Sequence, residues 1–463
     1  MGGKAAIFLV LGFSLIFLVV GHNFNGLTLR VMDNYSRYFI ETTAYNIAVS
    51  GANLAANSIF MDKTWEAGYS NVSYQGGTLN VFVSNMAAGN TNGKVTICHI
   101  PPGNSSARHT MSVSAGAVAA HLAHGDFLGA CDANTNFTQL ATIVSEGTYE
   151  GVTRTIIVEL RPSNFAKYGN YYSNISSAYP ATGDTFDGPF HTNGKLTTSG
   201  SPVFLGKVST KTGLTKTGTP KDPKFYGGYE SGLDLPLVFD TTGMRANASK
   251  IFRDTTNTNK KIDVKLYFNS DGTVTFQQKI GTGSWSTSKT QNLTTLAPNG
   301  VIYVERGNVY TKGVVNGNVT IAATKKGTSG AGGVYFEDDF TYASDPRTNP
   351  NSDDLAGIIA EETIRIQSNS NTLGKNITTM ASMYCMNGTI GPEDGLVNQN
   401  FLGNWNIFGG LIANDLRVTA NYNNAGNPYK GLRFVHKYDE RLLLKVPPYF
   451  PHTNNFEVVS WFE

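Results

Sequence analysis

Residues 5–20 read AAIFLVLGFSLIFLVV, a run that is almost entirely apolar. No formal charge occurs between Ala5 and Leu29, and twenty-five helical residues span about 37 Å, enough to cross a bilayer. From Arg30 onward apolar side chains recur near the helical spacing with charged residues between them, and no proline precedes Pro101. The pattern predicts one long helix, hydrophobic all round in its first half and apolar on one face in its second half.

The apolar half of this helix has three alternative interpretations. A cleaved secretory signal would use Lys4 and the apolar run, but no small-residue cleavage site follows Val20. The second interpretation is a permanent membrane anchor. The third is a subunit whose helix leaves the membrane and packs against copies of itself, which buries its apolar surface. The third interpretation assigns assembly contacts to Ile7, Phe8, Leu9, Leu11, Phe13, Leu15, Ile16 and Phe17.

The composition favours an extracellular protein rich in β-structure. A chain of 463 residues has room for two or three domains, and its 50 glycines and many Asn, Ser and Thr residues are typical of a β-rich surface protein with many turns. The net charge of +2, with only 15% charged residues, gives no electrostatic case for nucleic-acid binding. No phosphate-binding glycine pattern, nucleophile elbow or pair of catalytic carboxylates stands out, so no catalytic residue is predicted.

Two segments of the predicted helix carry a family resemblance. GKAAIFLV at 3–10 and TAYNIAVSGANLA at 43–55 resemble the N-terminal segment of type IV pilins, especially minor pilins with their A-x-x-I-A-x-S/A-G-A signature. Ala5 stands where major pilins typically carry glutamate, and no conventional pilin leader precedes the match. The resemblance implies a structural subunit of an extracellular type IV pilus-like filament, inserted in the inner membrane before assembly. Its partners would be copies of itself and the pilus assembly machinery.

The same sequence features are compatible with three other functions. The chain is alternatively a minor pilin that primes or tips a filament of another protein, or a membrane-anchored surface adhesin. An enzyme acting on polysaccharide with a β-solenoid fold is an alternative from a different class. It would need acidic residues or histidine along one groove of the solenoid.

The segment after the helix predicts a small antiparallel sheet. Alternating strands are expected at 78–83, 138–145 and 153–160, with 147–151 as a turn, packed on the amphipathic half of the helix. Beyond residue 162 short strands alternate with Gly, Asn and Pro turns. Residues 265–277 carry a strong hairpin signal, and 301–366 form a ladder of short strands. Such spacing indicates a β-solenoid or a stack of sheets.

The predicted fold class is therefore α+β. A long N-terminal α-helix carries a small antiparallel sheet head, and a large β-rich domain follows. We divide the chain into the helix at 1–62, the head at 63–161 with an insert at 93–132, and the β-rich domain at 162–463. Residues 165–463 also resemble a domain of unknown function found in bacterial surface proteins. That resemblance is carried by Phe186–Gly194, Tyr438–Leu442 and Pro447–Pro451.

The insert concentrates cysteine and histidine. Cys98 and Cys131 flank it, so they are the natural disulfide pair of the chain's three cysteines, and Cys385 is expected to be a buried small hydrophobe. Four imidazoles make a plausible ligand set for zinc or copper, with Asp126 as a further ligand or as a partner that orients one ring. These imidazoles belong to His99, His109, His121 and His124. The alternative is a cystine-stapled mini-domain whose histidines make ordinary hydrogen bonds. The pattern C-H-x-P-P-G-N … H … H-x-x-H-G-D … C resembles a module inserted in many bacterial surface proteins.

Three further groups of residues have side chains that could carry chemistry. His191 near Asp187 is a potential acid–base pair, although a structural hydrogen bond is expected in such a turn. Asp439 and Arg441 are expected to form a packed ion pair. An acidic, turn-rich patch is a candidate for calcium or simply a solvated loop, and its members are Glu337, Asp338, Asp339, Asp345, Asp353 and Asp354.

Overall fold

The computed structural model describes residues 2–62, 65–85, 94–99, 101, 109–114, 121, 127–128, 141–176, 178–237, 241–256, 259–423 and 427–463. One continuous helix, α1 (Gly2–Met61), opens the chain. This confirms the helix expected from the apolar run and the amphipathic pattern. The fold class is confirmed as well, because a small sheet and a large strand-rich domain follow α1.

The remaining elements are mainly strands. The first strands are β1 (Tyr69–Tyr74), β2 (Gly77–Asn85), β3 (Lys94–His99), β4 (His109–Ser114), β5 (Phe127–Leu128), β6 (Ala141–Tyr149) and β7 (Val152–Asn164). Next come β8 (Asn170–Asn174), β9 (Thr185–Phe186), β10 (Phe190–Thr192), β11 (Leu196–Ser199), β12 (Val203–Phe204), β13 (Val208–Thr210), β14 (Leu214–Thr217), β15 (Lys224–Phe225) and β16 (Tyr229–Ser231).

The second half of the chain begins with helix α2 (Thr242–Asn247), β17 (Lys250–Phe252), β18 (Ile262–Phe268), β19 (Thr273–Ile280), β20 (Lys289–Asn292) and helix α3 (Leu293–Leu296). It continues with β21 (Val301–Val304), β22 (Gly307–Val315), β23 (Asn318–Ala323), β24 (Gly333–Tyr342), β25 (Leu355–Ala360), β26 (Thr363–Ile366) and β27 (Ile377–Pro392). It ends with helix α4 (Asp394–Val397), β28 (Leu402–Asp415), β29 (Ala420–Tyr422), β30 (Pro428–Lys437) and β31 (His452–Phe462). Single 3₁₀ turns lie at Phe165–Lys167 and Glu440–Leu443.

The head is a five-stranded sheet in the order β1-β2-β6-β7-β31. Strands β1, β2, β6 and β7 pair antiparallel with their neighbours. The β6–β7 turn is narrower than the predicted 147–151, because β6 runs on to Tyr149 and only Glu150 and Gly151 form the turn. Both have positive φ, 46° and 79°, as a tight hairpin requires. Gly147 therefore lies inside a strand, and the prediction of a turn there is wrong.

The insert contributes a small antiparallel sheet in the order β4-β3-β5. In its register His99 stands opposite His109.

The large domain is a β-solenoid, in which strands from successive turns stack in parallel. One ladder runs through ten strands in the order β17, β21, β23, β25, β27, β28, β8, β10, β13 and β16. A second parallel ladder joins β18, β22, β24, β26 and β27. The hairpin expected at 265–277 is confirmed, because β18 and β19 pair antiparallel.

The order of strands in the long ladder differs from their order in the chain. The chain enters at β8 and builds outward through β10, β13 and β16. It then starts again at β17 and returns through β28, which pairs with β8 at Ile412 and Tyr171. Two runs of solenoid are therefore joined in register, and the join lies where β28 meets β8.

Aromatic and aliphatic side chains fill the interior of the solenoid. In the first run, Phe186, Phe204 and Phe225 occupy equivalent positions on β9, β12 and β15, with ring centroids 5.2 and 5.1 Å apart. Such stacks of like residues follow from parallel, in-register strands, since each side chain lies above its equivalent in the previous turn.

By residue contacts the chain forms two compact units. The first comprises Met1–Asn90, Gln139–Arg161 and Glu457–Glu463, and the second comprises Thr91–Thr138 and Pro162–Phe456. The last residues of the chain thus belong with the helix and head, although they lie far from both in sequence.

Candidate assembly site

The second half of α1 packs on the head through a stripe of small and aliphatic residues. The stripe repeats at the helical spacing and is fully buried, and its members are Ala44, Ile47, Ala48, Ala52, Ala55 and Ile59. These residues fall within and beside the segment that resembles minor pilins. The signature therefore has a physical role in this chain, because small side chains allow the helix backbone to approach the sheet closely.

Two glycines and a serine set the distance between α1 and the sheet. A Cβ at Gly147 would lie 2.2 Å from the Ala44 carbonyl oxygen and 2.5 Å from the Ala48 amide nitrogen. A Cβ at Gly51 would lie 2.3 Å from Cδ1 of Leu79. The buried Ser145 hydroxyl donates to the Ala48 carbonyl at 2.7 Å. Gly147 and Ser145 were not predicted as contact residues. The signal available for Gly147 was a glycine within an otherwise alternating strand.

Polar contacts also join the segments of this unit. Arg154 forms an ion pair with Glu41 on α1 at 2.7 Å, and the Tyr45 hydroxyl donates to a Glu463 carboxylate oxygen at 2.6 Å. The Glu41–Arg154 pair is exposed, so its contribution to stability is small. The two contacts position the helix, because they connect α1 to β7 and to Glu463.

The first half of α1 presents apolar side chains to its surroundings. The eight residues predicted to make assembly contacts are between 54% and 76% exposed. This helix is long and apolar enough to cross a membrane, and it is the only such helix in the part of the chain that the structure describes. Exposed apolar surfaces of this size are typical of sites that contact another protein or a membrane.

Three of the four predicted metal-ligating histidines lie together. The ring centroid of His99 is 5.3 Å from that of His109 and 5.5 Å from that of His121. His124 and Asp126 lie outside the described residues, as does Cys131, the predicted partner of Cys98. Among described residues, no group of three or more His, Cys, Asp and Glu side chains has the arrangement of a metal site. The metal site and the disulfide stay predictions.

His191 and Asp187 do not pair with each other. The buried His191 ring contacts the Ser209 hydroxyl at 2.8 Å and the Asn193 side-chain oxygen at 3.0 Å. Asp187 instead pairs with Lys437 at 2.9 Å and accepts from the Tyr438 backbone. Burial lowers the pKa of His191, which favours a neutral ring in a structural role.

The remaining sequence candidates have structural partners. Asp439 is buried and forms an ion pair with Arg441 at 2.7 Å, which confirms the expected pair. Cys385 is buried, as expected, and burial raises the pKa of its thiol to about 12. In the acidic patch Asp345 pairs with Arg347, and Asp354 accepts hydrogen bonds from the Gly317 and Ser344 backbone. Calcium binding at this patch stays a prediction.

Comparison with known proteins gives a likeness among solved structures alone. No protein-family model matches the chain, and no curated protein does. Among solved structures the chain is similar to the crystal structure of the competence-associated pilin ComZ from Thermus thermophilus. The two share 13% sequence identity with a TM-score of 0.34, over 91% of this chain and 96% of that chain. Because this likeness is weak, a function for the chain is inferred from α1 and its contacts with the head.

Proposed function

We propose that this chain is a structural subunit of an extracellular type IV pilus-like filament. The proposal is supported by the two halves of α1. The second half packs against the head, and the first half exposes a continuous apolar surface. In a filament that surface would pack against the same surface of neighbouring subunits, and burial at about 25 cal/mol per Å² would drive assembly. The head and solenoid would form the outer wall. Before assembly the same half-helix would lie in the inner membrane, where the pilus assembly machinery would take it up.

A direct test of the filament is imaging and mass spectrometry of purified surface filaments. We expect filaments that contain this chain and are lost in the variant Phe13→Arg, because a buried arginine costs several kcal/mol. Phe13→Leu, which keeps an apolar side chain, is the matched control and should leave filaments in place. The folded state of both variants is checked by circular dichroism of the detergent-solubilised chain. Recovery of the wild-type chain only as membrane-extracted single subunits would overturn the filament in favour of the membrane-anchored alternative.

We also propose that the histidine cluster binds zinc or copper. The support is the proximity of the His99, His109 and His121 rings, with His124 and Asp126 close by in sequence. Elemental analysis of the purified chain should find about one metal per chain, lost in a His99→Ala/His121→Ala double variant. His22→Ala, an exposed histidine on α1, is the control. Unchanged metal content in the double variant, or no metal in the wild type after incubation with zinc and with copper, would refute the site.

A further inference from the structure

An apolar cleft opens beside the join between the two runs of the solenoid. Its volume is about 230 Å³, and it lies between the β8–β9 region and the segments around β28–β30. Aromatic rings form much of its wall: Tyr172, Tyr179, Phe186, Trp405, Tyr422 and Phe434. A concave, mainly apolar site with few polar groups is the usual form of a site for a small organic ligand.

Three of these rings pack together in the wall of the cleft. Phe186 and Trp405 each contact Phe434, with ring centroids 5.6 and 6.2 Å away from it. The Trp405 indole N–H donates to Thr379 at 3.0 Å, so the polar atom of this ring is already satisfied. Tyr179 and Tyr422 are 48% and 36% exposed, which makes part of the cleft accessible from solvent.

One carboxylate lies in the wall of this cleft. Asp184 accepts a hydrogen bond from the Ala181 backbone at 2.8 Å and one from the Tyr422 hydroxyl at 3.3 Å. Within the described part of the chain, no lysine, arginine or histidine forms an ion pair with it. Arg417 also lines the cleft, but its guanidinium is engaged by Asp394 at 2.7 Å and by the Pro392 carbonyl at 2.8 Å. Among the described residues, therefore, no ion pair neutralises the Asp184 carboxylate.

We propose that this cleft binds an organic ammonium cation, held by the Asp184 carboxylate and by the faces of the surrounding aromatic rings. An ammonium group over an aromatic ring is attracted by the ring quadrupole, and the attraction grows when the site is shielded from water. The methylene or methyl groups of such a ligand would bury apolar surface against the same rings.

Other classes of ligand fit the cleft less well. A sugar presents hydroxyl groups around its whole ring, whereas the polar atoms of this cleft are few and Asp184 already accepts two hydrogen bonds. A calcium or magnesium ion needs six or more oxygen ligands, and the cleft offers a single carboxylate. An organic cation needs only one negative charge and an aromatic wall.

The test is isothermal titration of the full-length chain in a non-ionic maltoside detergent with choline. 3,3-Dimethylbutan-1-ol, which has the same shape but no charge, is the control ligand. We expect saturable binding of choline to one site and at least about tenfold weaker binding of the neutral alcohol, since a cation–π contact is worth up to about 2 kcal/mol. Nα-acetyl-lysine amide forms a third arm. Tighter binding of this compound than of choline would identify a lysine side chain as the source of the cation, and the reverse would identify a quaternary ammonium compound.

The variant Asp184→Asn, which keeps the size of the side chain, should lower choline affinity at least about tenfold. Asp222→Asn removes a carboxylate that does not line the cleft and is paired with Lys224, and it should leave the affinity unchanged. Equal binding of choline and the neutral alcohol, full binding by Asp184→Asn, or no binding of any cation would overturn the proposal. The comparison of the two ligands on the wild type holds even if a variant fails to fold. Because binding is measured on single subunits, its failure would leave the filament proposal intact.

Discussion

At the scale of single residues, Asp184 combines a cost to stability with a potential function. Burial raises the pKa of its carboxyl to about 6. The hydrogen bonds from Ala181 and Tyr422 lower this pKa, but they offset only part of the rise. The folded chain therefore holds a carboxylate that would be more stable in water. Groups with this property are enriched at binding sites, where a ligand supplies the missing interaction.

We predict that Asp184→Asn stabilises the solenoid above pH 6. The folded-state pKa of Asp184 is about 6, and its ordinary value is 3.8. The protonated carboxyl therefore contributes its full stability to the fold below pH 3.8, and this contribution is lost as the pH rises through 6. Asparagine does not titrate. In urea unfolding, the free energy of unfolding of the variant should therefore exceed that of the wild type by roughly 1–3 kcal/mol at pH 7.5 and equal it near pH 4. A variant less stable than the wild type at pH 7.5 would contradict this account.

At the scale of elements, the contact between α1 and β6 depends on the absence of side-chain atoms. Gly147 lies opposite the helix backbone, and the neighbouring helix positions are alanines that are fully buried. The local sequence pattern predicts a turn at Gly147, because glycine is common in turns. The helix that requires this glycine lies about a hundred residues earlier in the chain, so a local pattern could not reveal the requirement.

We predict that Gly147→Ala loosens α1 from the head. The added Cβ meets backbone atoms of Ala44 and Ala48, which cannot rotate away, and overpacking of this kind costs about 1–3 kcal/mol. Hydrogen exchange of amides in β6 should accelerate. Gly21→Ala is the matched control, because nothing lies within 4 Å of a Cβ there, and it should leave exchange in β6 unchanged. Unaltered exchange in Gly147→Ala would show that the sheet can yield at this point.

At the scale of the whole molecule, the unit that contains α1 is built from three separate pieces of chain. Its last piece is the end of β31, which occupies the sheet edge beside β7. Arg161 pairs with Glu457 at 2.8 Å, and the Ser460 hydroxyl donates to Glu159 at 2.7 Å. The head is therefore complete only when residues from both ends of the chain have come together.

We predict that removal of residues 457–463 destabilises the head and leaves the solenoid folded. Without the end of β31, the edge of β7 is exposed and its backbone hydrogen bonds are lost. Limited proteolysis should cut the helix and head faster in the truncated chain, while solenoid fragments stay protected. Tyr45→Phe removes only the hydroxyl contact with Glu463 and should resemble the wild type. Equal protease resistance of truncated and complete chains would show that the end of β31 is dispensable for the head.

Elements with local signals could be predicted from the amino-acid sequence. The apolar run predicted α1, the Asn-Ser-Asp-Gly turn predicted the β18–β19 hairpin, and the short regular strands indicated a β-solenoid or a stack of sheets. Long-range contacts set the order of the solenoid strands, the return of β31 to the head, the partners of His191 and the cleft around Asp184. Each of these depends on contacts between residues far apart in the chain, such as Tyr171 with Ile412. Hydrophobic periodicity and turn chemistry describe a residue's own neighbourhood, and they carry no information about which distant segment will lie beside it.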